Sequence, residues 1–567
     1  MQKKLQLTLA ATLVAALTSC GKLGELSADL FTVTPSPLEA SAGKVPVTIN
    51  GRFPEKYMQK KAEVTVVPVL RYRGGEKMGQ PATFQGEKVI GNNQEISYKL
   101  GGNYTMRTSF DYIPEMEKSE LYLVFDAKLG KKAVNLHDVK VADGVIATSD
   151  LVSRTVQSAS TCRATDAYQY SIAERKQAQI KYLISQAKVR TSELKTTSVQ
   201  DFIKILRDIK ADQNGFQIDN IEVSAYASPD GSTDLNTRLA KDREKSSSDY
   251  VRQQLKDINL EADLDTKYTA EDWEGFQELV AASNIQDKDV ILRVLSMYPD
   301  PEEREKQIRN ISVAYKELAD EILPELRRAR LTVNYNIIGR SDDDIAAQLA
   351  TDASKLSLEE LLYAASLEET ADAQANIYKK AAELYPNDYR AYNNLAEIAY
   401  SAGRLSEAKD WLSKAAALNN NAAEVNANRA LVALAEGDYA TAEGYLGRAT
   451  TAKNYNEVLG NLQVAQGNYQ AAARSLEGAN TNTAALAQIL NKDYEKAART
   501  LQGVKQPNGT TSYLKAVIAA RTGMNDLAVA NLSDAISKDA SLRQKAANDL
   551  EFQKLRSLSA FQSLIAQ

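Results

Sequence analysis

Histidine and cysteine are scarce in this chain of 567 residues, which contains one histidine and two cysteines. A zinc site draws on several such side chains, and a Cys–His catalytic dyad needs one of each at the same place in the fold. With Cys20 assigned to an export leader, as argued below, Cys162 is the only remaining thiol and cannot form an intramolecular disulfide. The composition therefore argues against zinc chemistry, thiol catalysis and a disulfide framework, and we expect neither metal nor cofactor.

Proline, glycine and blocks of like charge are also scarce. The 13 prolines and 27 glycines are too few for a fibrous or largely disordered chain. The formal net charge is −5, and no run of like charge is long enough to indicate a nucleic-acid partner. The hydrophobic content of 44% allows sizeable cores, and the length suggests about three or four domains.

The first 20 residues have the pattern of an export leader. Lys3 and Lys4 precede the uncharged apolar run Leu5–Leu17, which is too short to span a bilayer permanently. The leader ends Leu-Thr-Ser-Cys at Cys20, which resembles the bacterial lipobox and implies lipidation of that cysteine. An ordinary signal peptide that happens to contain a cysteine is the alternative. Several acyl chains on one cysteine would anchor the protein firmly.

The residues after Cys20 indicate a cellular location. Gly21 in place of Asp resembles lipoproteins that are sent to the outer membrane. The stretch 21–28 lacks the acidic cluster that often marks surface export in Bacteroidetes lipoproteins. We therefore predict a lipid-anchored protein of the outer membrane that faces the periplasm, with residues 21–44 as a tether.

Residues 45–157 have a β pattern. Apolar and polar residues alternate in Val64–Tyr72, Tyr104–Tyr112 and Leu121–Phe125, and glycine-rich turns separate these runs. Seven or eight short strands predict an all-β sandwich. A spacer is the simplest role for it. The following stretch, 158–175, is interpreted as a linker or lid.

Residues 176–340 predict an α+β domain. We expect strands at Ile180–Val189 and Ile221–Ala225, a helix from Thr197, a long helix after a Ser-Pro-Asp-Gly-Ser turn, and a closing strand at Arg330–Asn336. Residues 255–324 show helical spacing and are predicted to be a helical insert.

The turn and long helix of this domain resemble the OmpA-like domains that hold outer membranes to peptidoglycan. Gly231-Ser232, Asn236 and Arg243 match the family motif, as does Leu239, whereas Ser228 stands where the family has an aspartate. The resemblance implies binding of a peptidoglycan stem peptide by Ser228, Asp230, Asn236 and Arg243. A carboxylate would pair with the ligand's ammonium, and a guanidinium with its carboxylate. Alternatively, Asp230 only orders the turn and Arg243 only lies on a solvated helix face.

Residues 355–567 contain an internal period. Gly403 and Ala408 recur as Gly437 and Ala442, 34 residues later, and again in shorter copies further on. This resembles the tetratricopeptide repeat and predicts an all-α solenoid of helix pairs, with Leu542–Gln567 as a capping helix. In the copy that fits best, Arg390, Asn393, Asn394 and Glu397 are predicted to face the groove. Their mixed donors and acceptors suit an extended peptide or a partner loop.

No enzyme motif is present: the chain lacks a glycine-rich phosphate loop, H-E-x-x-H and G-x-S-x-G. We predict a non-enzymatic outer-membrane lipoprotein that acts as a protein–protein interaction scaffold in a cell-envelope complex. Its solenoid would bind periplasmic or outer-membrane proteins. The alternative is a peptidoglycan tether that acts through the OmpA-like domain.

Overall fold

The computed structural model describes residues 23–285, 287–310 and 312–566, and the side chains of 312–314 are not described. The leader and Cys20 lie outside the described residues. The chain divides into two compact units: one combines the chain up to Thr165 with the chain from Ala365 onward, and the other is Asp166–Ala364. In the described part of the chain, no helix has the length and apolar character needed to cross a membrane.

The first unit begins with a β-sandwich whose two sheets enclose one hydrophobic core. One sheet has the order β1-β2-β7, and the other runs β10-β8-β3-β5-β6, with β4 beside β3 and β9 beside β8. The strands are β1 (Phe31–Thr34), β2 (Lys44–Phe53), β3 (Ala62–Tyr72), β4 (Gly75–Met78), β5 (Ala82–Gly86), β6 (Gln94–Ile96), β7 (Gly102–Asp111), β8 (Ser119–Leu129), β9 (Lys132–Val134) and β10 (Val139–Gly144). Strand β1 lies within the stretch that was predicted to be a tether. Phe31 and Val33 are buried there because β1 pairs antiparallel with β2.

The segment after β10, up to Thr165, completes the N-terminal part of the first unit. A 3₁₀ turn, Thr148–Leu151, is followed by the short helix α1 (Val152–Val156). Ala159–Thr165 then has neither helical nor strand assignment. We call Ala159–Thr165 the strap.

The second unit contains a four-stranded sheet with the order β11-β14-β12-β13. Its strands are β11 (Ser171–Lys181), β12 (Phe216–Tyr226), β13 (Leu264–Thr269) and β14 (Arg328–Ile338), of which only β13 pairs parallel, with β12. The prediction of a strand at Ile180–Val189 is wrong in position. Most residues of β11 are exposed, so the strand carries no apolar alternation that the sequence could reveal. Its backbone pairing with β14 places it in the sheet.

The predicted insert at 255–324 is not wholly helical, because it contains β13. This strand is largely exposed and polar, so no hydrophobic alternation marks it, and its backbone pairing with β12 holds it in the sheet. The helices of this unit are α2 (Thr197–Ala211), α3 (Thr233–Asp257), α4 (Trp273–Ala282), α5 (Lys288–Met297), α6 (Pro301–Arg309), α7 (Ser312–Glu317), α8 (Leu323–Leu326), α9 (Asp342–Asp352) and α10 (Leu358–Leu367), and the division between the units falls within α10.

The C-terminal part of the first unit is a helical, tetratricopeptide-like array. Its helices are α11 (Ala371–Leu384), α12 (Arg390–Ser401), α13 (Leu405–Leu418), α14 (Ala423–Ala435), α15 (Tyr439–Leu446), α16 (Tyr455–Ala465), α17 (Tyr469–Ser475), α18 (Asn482–Leu490), α19 (Tyr494–Gln502), α20 (Gly509–Arg521), α21 (Asn525–Lys538), α22 (Leu542–Asn548) and α23 (Ser559–Ala566). Fully buried alanines such as Ala408, Ala415 and Ala442 let successive helices approach closely.

The turns inside the helix pairs explain the period seen in the sequence. Gly403, Gly437, Gly467 and Gly523 have φ between 74° and 79°, and Lys492 occupies the corresponding place in a shortened copy with φ 65°. Glycine adopts this left-handed conformation without a steric penalty, whereas residues with a Cβ adopt it unfavourably. The recurring glycine therefore marks the end of the first helix of a pair.

The predicted capping helix, Leu542–Gln567, is broken into α22, a 3₁₀ helix at Leu550–Leu555, and α23. The break occurs at Asp549, whose backbone is extended (φ −62°, ψ 125°) and whose side chain accepts a hydrogen bond from the Glu551 N–H. Such side-chain capping starts a new helical segment and competes with continuation of the previous one.

Within the first unit, the sandwich packs against the middle and the C-terminal part of the solenoid. Ser41 Oγ and Tyr469 Oη are 2.8 Å apart, and Lys545 Nζ donates to Glu117 across 2.9 Å. Arg521 contacts both Glu39 of the sandwich and Glu551 of the solenoid. The spacer predicted from the sequence is thus also a docked part of the solenoid unit.

Candidate groove of the solenoid

The groove predicted on the solenoid holds a segment of the same chain. The strap residues Ala159, Cys162 and Ala164 are buried, and Ala159 and Cys162 belong to the same hydrophobic cluster as the solenoid alanines. The upstream residues Leu151, Val152 and Val156 belong to it as well. The strap thus packs against the buried faces of the solenoid helices.

Alternate strap residues are held by their backbone groups. Asn394 Oδ1 accepts from the N–H of Ala164 at 2.9 Å, and its Nδ2 donates to the carbonyl of the same residue at 2.9 Å. Asn428 makes the same pair of bonds to Cys162, at 2.7 and 2.8 Å. One amide side chain thus satisfies both backbone groups of one residue, as a neighbouring strand does in a sheet.

Ser160 is held in a related way, by two side chains instead of one. Asn454 Nδ2 donates to its carbonyl at 2.6 Å, and its N–H donates to Glu457 Oε1 at 3.1 Å. The residues held are 160, 162 and 164, because alternate residues of an extended chain point their backbone groups to the same side.

The spacing of the asparagines follows the repeat. Asn394 and Asn428 are 34 residues apart and occupy equivalent positions on α12 and α14. The next copy is shortened, and Val458 occupies the equivalent position there; Asn454, the residue immediately before α16, supplies the amide instead. Each step along the solenoid therefore corresponds to two residues along the strap.

The asparagines are buried and support one another. Asn393, Asn394 and Asn428 are at most 3% exposed. Asn393 donates to the Cys162 carbonyl at 3.0 Å and to Asn394 Oδ1 at 3.1 Å, and its own Oδ1 accepts from Asn428 at 3.0 Å. Buried amides that satisfy one another in this way specify a single arrangement, because an unpaired member would be costly.

Two arginines add charged contacts at the end of the strap. Arg163 donates to both carboxylate oxygens of Glu397 at 3.0 Å and to Gln374 at 3.1 Å. Arg390 is held by Asp388, with Nε to Oδ1 at 3.1 Å, and reaches the Thr165 carbonyl at 3.4 Å. The bidentate arrangement of Arg163 and Glu397 adds geometric specificity that a lysine could not supply.

The connection before the strap is also fixed to the solenoid. Tyr400 Oη donates to the Val156 carbonyl at 2.7 Å. Arg154 donates to Asp539 at 2.7 Å and to Ser541 at 3.0 Å. The stretch from α1 through the strap thus contacts helices from both ends of the array.

The thiol of Cys162 is enclosed by this arrangement. Its residue is 4% exposed, and burial raises the pKa of the thiol. Since the thiolate is the reactive form, Cys162 is expected to be inert while the strap is in place.

All four predicted groove residues contact the strap or its asparagine network: Arg390, Asn393, Asn394 and Glu397. The bound segment belongs to this chain, which the sequence did not indicate. Asn428 and Asn454 were missed. The recurrence of Asn394 as Asn428 after one repeat was the signal that could have revealed the first of them.

The residues predicted to bind a stem peptide lie together in the second unit, but their charges have partners there. Arg243 is 1% exposed and donates to the carbonyls of Tyr226 at 2.9 Å, Gln186 at 3.0 Å and Leu183 at 3.4 Å. Its guanidinium also faces the ring of Tyr182 at 5.3 Å. Burial lowers the pKa of Arg243 to about 10. Arg243 lies on the inner side of α3 and not on a solvated face.

Asp230 forms an ion pair with Arg327 at 2.7 Å, a partner that the motif does not indicate. Ser228 donates to Asp230 Oδ1 at 2.5 Å and accepts from Arg327 Nε at 3.2 Å. Asn236 donates to the Gly231 carbonyl at 3.1 Å and so orders the turn. Both charges that the resemblance assigns to a ligand are engaged by protein groups.

No metal site emerges from the described part of the chain. No group of three or more His, Cys, Asp or Glu side chains there is arranged to hold a metal ion. The asparagine-lined groove is therefore the most fully built binding site that the described residues present.

No family model and no curated protein matches this chain. Part of it is similar to a tetratricopeptide repeat protein from Parabacteroides merdae, at 13% identity, with 40% of this chain and 91% of that chain covered and a TM-score of 0.29. It is also similar to PilF from Pseudomonas aeruginosa (19% identity, 37% and 99% covered, TM-score 0.26) and to yeast Tom70 (11%, 66% and 87%, 0.25). These TM-scores are too low to support a functional argument, which rests instead on the contacts in the groove.

Proposed function

We propose that this protein is a non-enzymatic scaffold of the cell envelope, which binds other proteins through its solenoid. The observation that carries the proposal is the paired recognition of Cys162 and Ala164 by Asn428 and Asn394. A surface that satisfies both the N–H and the C=O of alternate residues is built for extended polypeptide. The partners would be periplasmic or outer-membrane proteins.

The membrane address is part of the proposal and rests on the leader pattern. Lipidation at Cys20 would place the solenoid and the OmpA-like unit on the periplasmic side of the outer membrane. The strand order of the second unit is compatible with the OmpA-like interpretation of its motif.

The scaffold is favoured over the peptidoglycan tether because of the charges in the second unit. A stem peptide would have to compete with Arg327 for Asp230 and with three backbone carbonyls for Arg243. The pair is partly buried, with side chains 12% and 17% exposed, and a charged hydrogen bond of this kind contributes about 1.5 to 3 kcal/mol, which the ligand would have to offset. Co-sedimentation with purified sacculi tests this preference. The full chain should stay in the supernatant, and pelleting with the sacculi would favour the peptidoglycan tether instead.

Crosslinking in intact cells tests the scaffold. The wild type, the double variant Asn394→Ala/Asn428→Ala and the control Asn421→Ala, an exposed asparagine of the same solenoid, would be compared. We expect specific envelope proteins to crosslink to the wild type and the control and to be lost from the double variant. An identical set of crosslinked proteins for all three would contradict binding through this groove.

A further inference from the structure

The groove binds the backbone of the strap more than its side chains. Ser160, Cys162 and Ala164 are held by hydrogen bonds to their N–H and C=O groups. Any extended polypeptide offers the same groups at the same spacing, so these contacts do not require the strap's own sequence.

Two side-chain requirements add selectivity. Cys162 and Ala164 are buried to 4% and 3% exposure, so only small residues fit at these two positions. The residue between them, Arg163, is fixed by the two oxygens of Glu397. The ligand pattern is therefore an extended small–arginine–small tripeptide.

We propose that the strap is an autoinhibitory occupant of the groove, and that an extended partner segment with this small–arginine–small pattern replaces it. The inference rests on the proposed scaffold function and adds the chemistry of the partner and the control of its access. The strap belongs to the same chain, so its effective concentration at the groove is on the order of millimolar. A free segment of equal intrinsic affinity therefore has to be present at a higher concentration than this to displace the strap, so weak ligands do not enter the groove.

Cys162 reports directly on this equilibrium. With Cys20→Ser it is the only thiol of the chain, and the strap encloses it. Labelling by a thiol reagent then requires that the strap leave the groove. A ligand that holds the groove open accelerates labelling, whereas a ligand that binds elsewhere leaves it unchanged.

The experiment uses the Cys20→Ser chain and a fluorescent peptide with the sequence of residues 158–165, in which Cys162→Ala leaves the peptide without a thiol. A second chain carries Ser160→Pro and Ala164→Pro in addition, which removes two of the N–H donors and retains Cys162 as the probe. The peptide is also made with N-methyl groups at the positions of Cys162 and Ala164, and, as the matched control, at those of Thr161 and Arg163.

We expect the peptide to bind the proline chain about 30-fold or more tightly than the parent chain, because two hydrogen bonds of the competing strap are lost. Methylation at 162 and 164 should abolish binding, and methylation at 161 and 163 should leave most of it. In the parent chain, saturating peptide should accelerate labelling of Cys162.

Equal affinity for both chains, or binding that ignores the methylation register, would overturn the inference. So would failure of the peptide to bind the proline chain although its Cys162 labels rapidly. A parent-chain labelling rate that falls with rising protein concentration would identify a second copy's strap as the occupant and would overturn it too. Peptide binding as expected, together with unchanged crosslinks in cells, would instead refute the scaffold function alone.

Discussion

Replacing Asn428 by alanine should weaken the docking of the strap in the groove while the solenoid stays folded. Asn428 lies on α14 and is 3% exposed. Its amide accepts from the Cys162 N–H at 2.7 Å, donates to the Cys162 carbonyl at 2.8 Å and donates to Asn393 at 3.0 Å. Alanine removes all three hydrogen bonds and keeps the helix propensity of the site.

The change in the free energy of strap opening depends on which backbone groups of the strap lose their hydrogen-bond partner. The Cys162 N–H would be left buried and unpaired, which costs about 1 to 3 kcal/mol. The Cys162 carbonyl keeps Asn393 as a donor at 3.0 Å, so its loss is that of one ordinary hydrogen bond, about 1 kcal/mol. Opening of the strap should therefore become easier by about 2 to 4 kcal/mol, or about 30- to 1,000-fold.

The assay is the labelling rate of Cys162 in the Cys20→Ser chain under native conditions. When opening and closing are fast compared with the chemical step, the rate is proportional to the open population. Asn421→Ala, which alters an exposed asparagine of the same solenoid, is the control and should label like the parent. Circular dichroism and the midpoint of thermal unfolding confirm that the fold is retained.

A labelling rate of Asn428→Ala within about twofold of the parent would refute the reasoning, because the loss of the paired amide would then contribute almost nothing to strap docking. A rate that rises equally in the Asn421→Ala control would refute it too, because labelling would then report general loosening of the solenoid.

Three further predictions concern other parts of the chain. Burial raises the pKa of Asp549 to about 6, so protonation favours the folded state as the pH falls from about 6 to 3.8. The difference in unfolding free energy between wild type and Asp549→Asn should shift in favour of the wild type by about 2 kcal/mol between pH 7 and pH 4, and a constant difference would contradict this. Arg327→Ala removes the cationic partner of the partly buried Asp230 carboxylate and should lower the unfolding free energy by about 1.5 to 3 kcal/mol in urea denaturation. The double variant with Asp230→Asn should recover much of the loss, and a loss that stays the same would exclude the ion pair as its cause. Cys20→Ala should shift the protein out of the outer-membrane fraction of cells, and unchanged fractionation would exclude lipidation at Cys20 as the anchor.

Much of the architecture could be predicted from local patterns. Alternation in stretches such as Val64–Tyr72 indicates strands, and the helical spacing of Val199, Phe202 and Leu206 indicates a helix, because one face of each element is buried. The repeating turn glycines reveal the solenoid, since their left-handed backbone is a local requirement. Exposed elements were missed or misplaced for the same reason: β13 and the first half of β11 bury almost nothing.

The candidate site also has a part that local patterns predict and a part that they do not. Periodicity alone identifies which residues of α12 line the groove, because the 34-residue repeat and the helical spacing place Asn393, Asn394 and Glu397 on one face. What these residues bind emerges only in the folded chain, because the strap lies more than 200 residues earlier in the sequence. The pairing of Asp230 with Arg327 is likewise a contact between distant segments. Local patterns specify faces and turns, whereas the occupant of a groove and the partner of a charge depend on which distant parts of the chain meet.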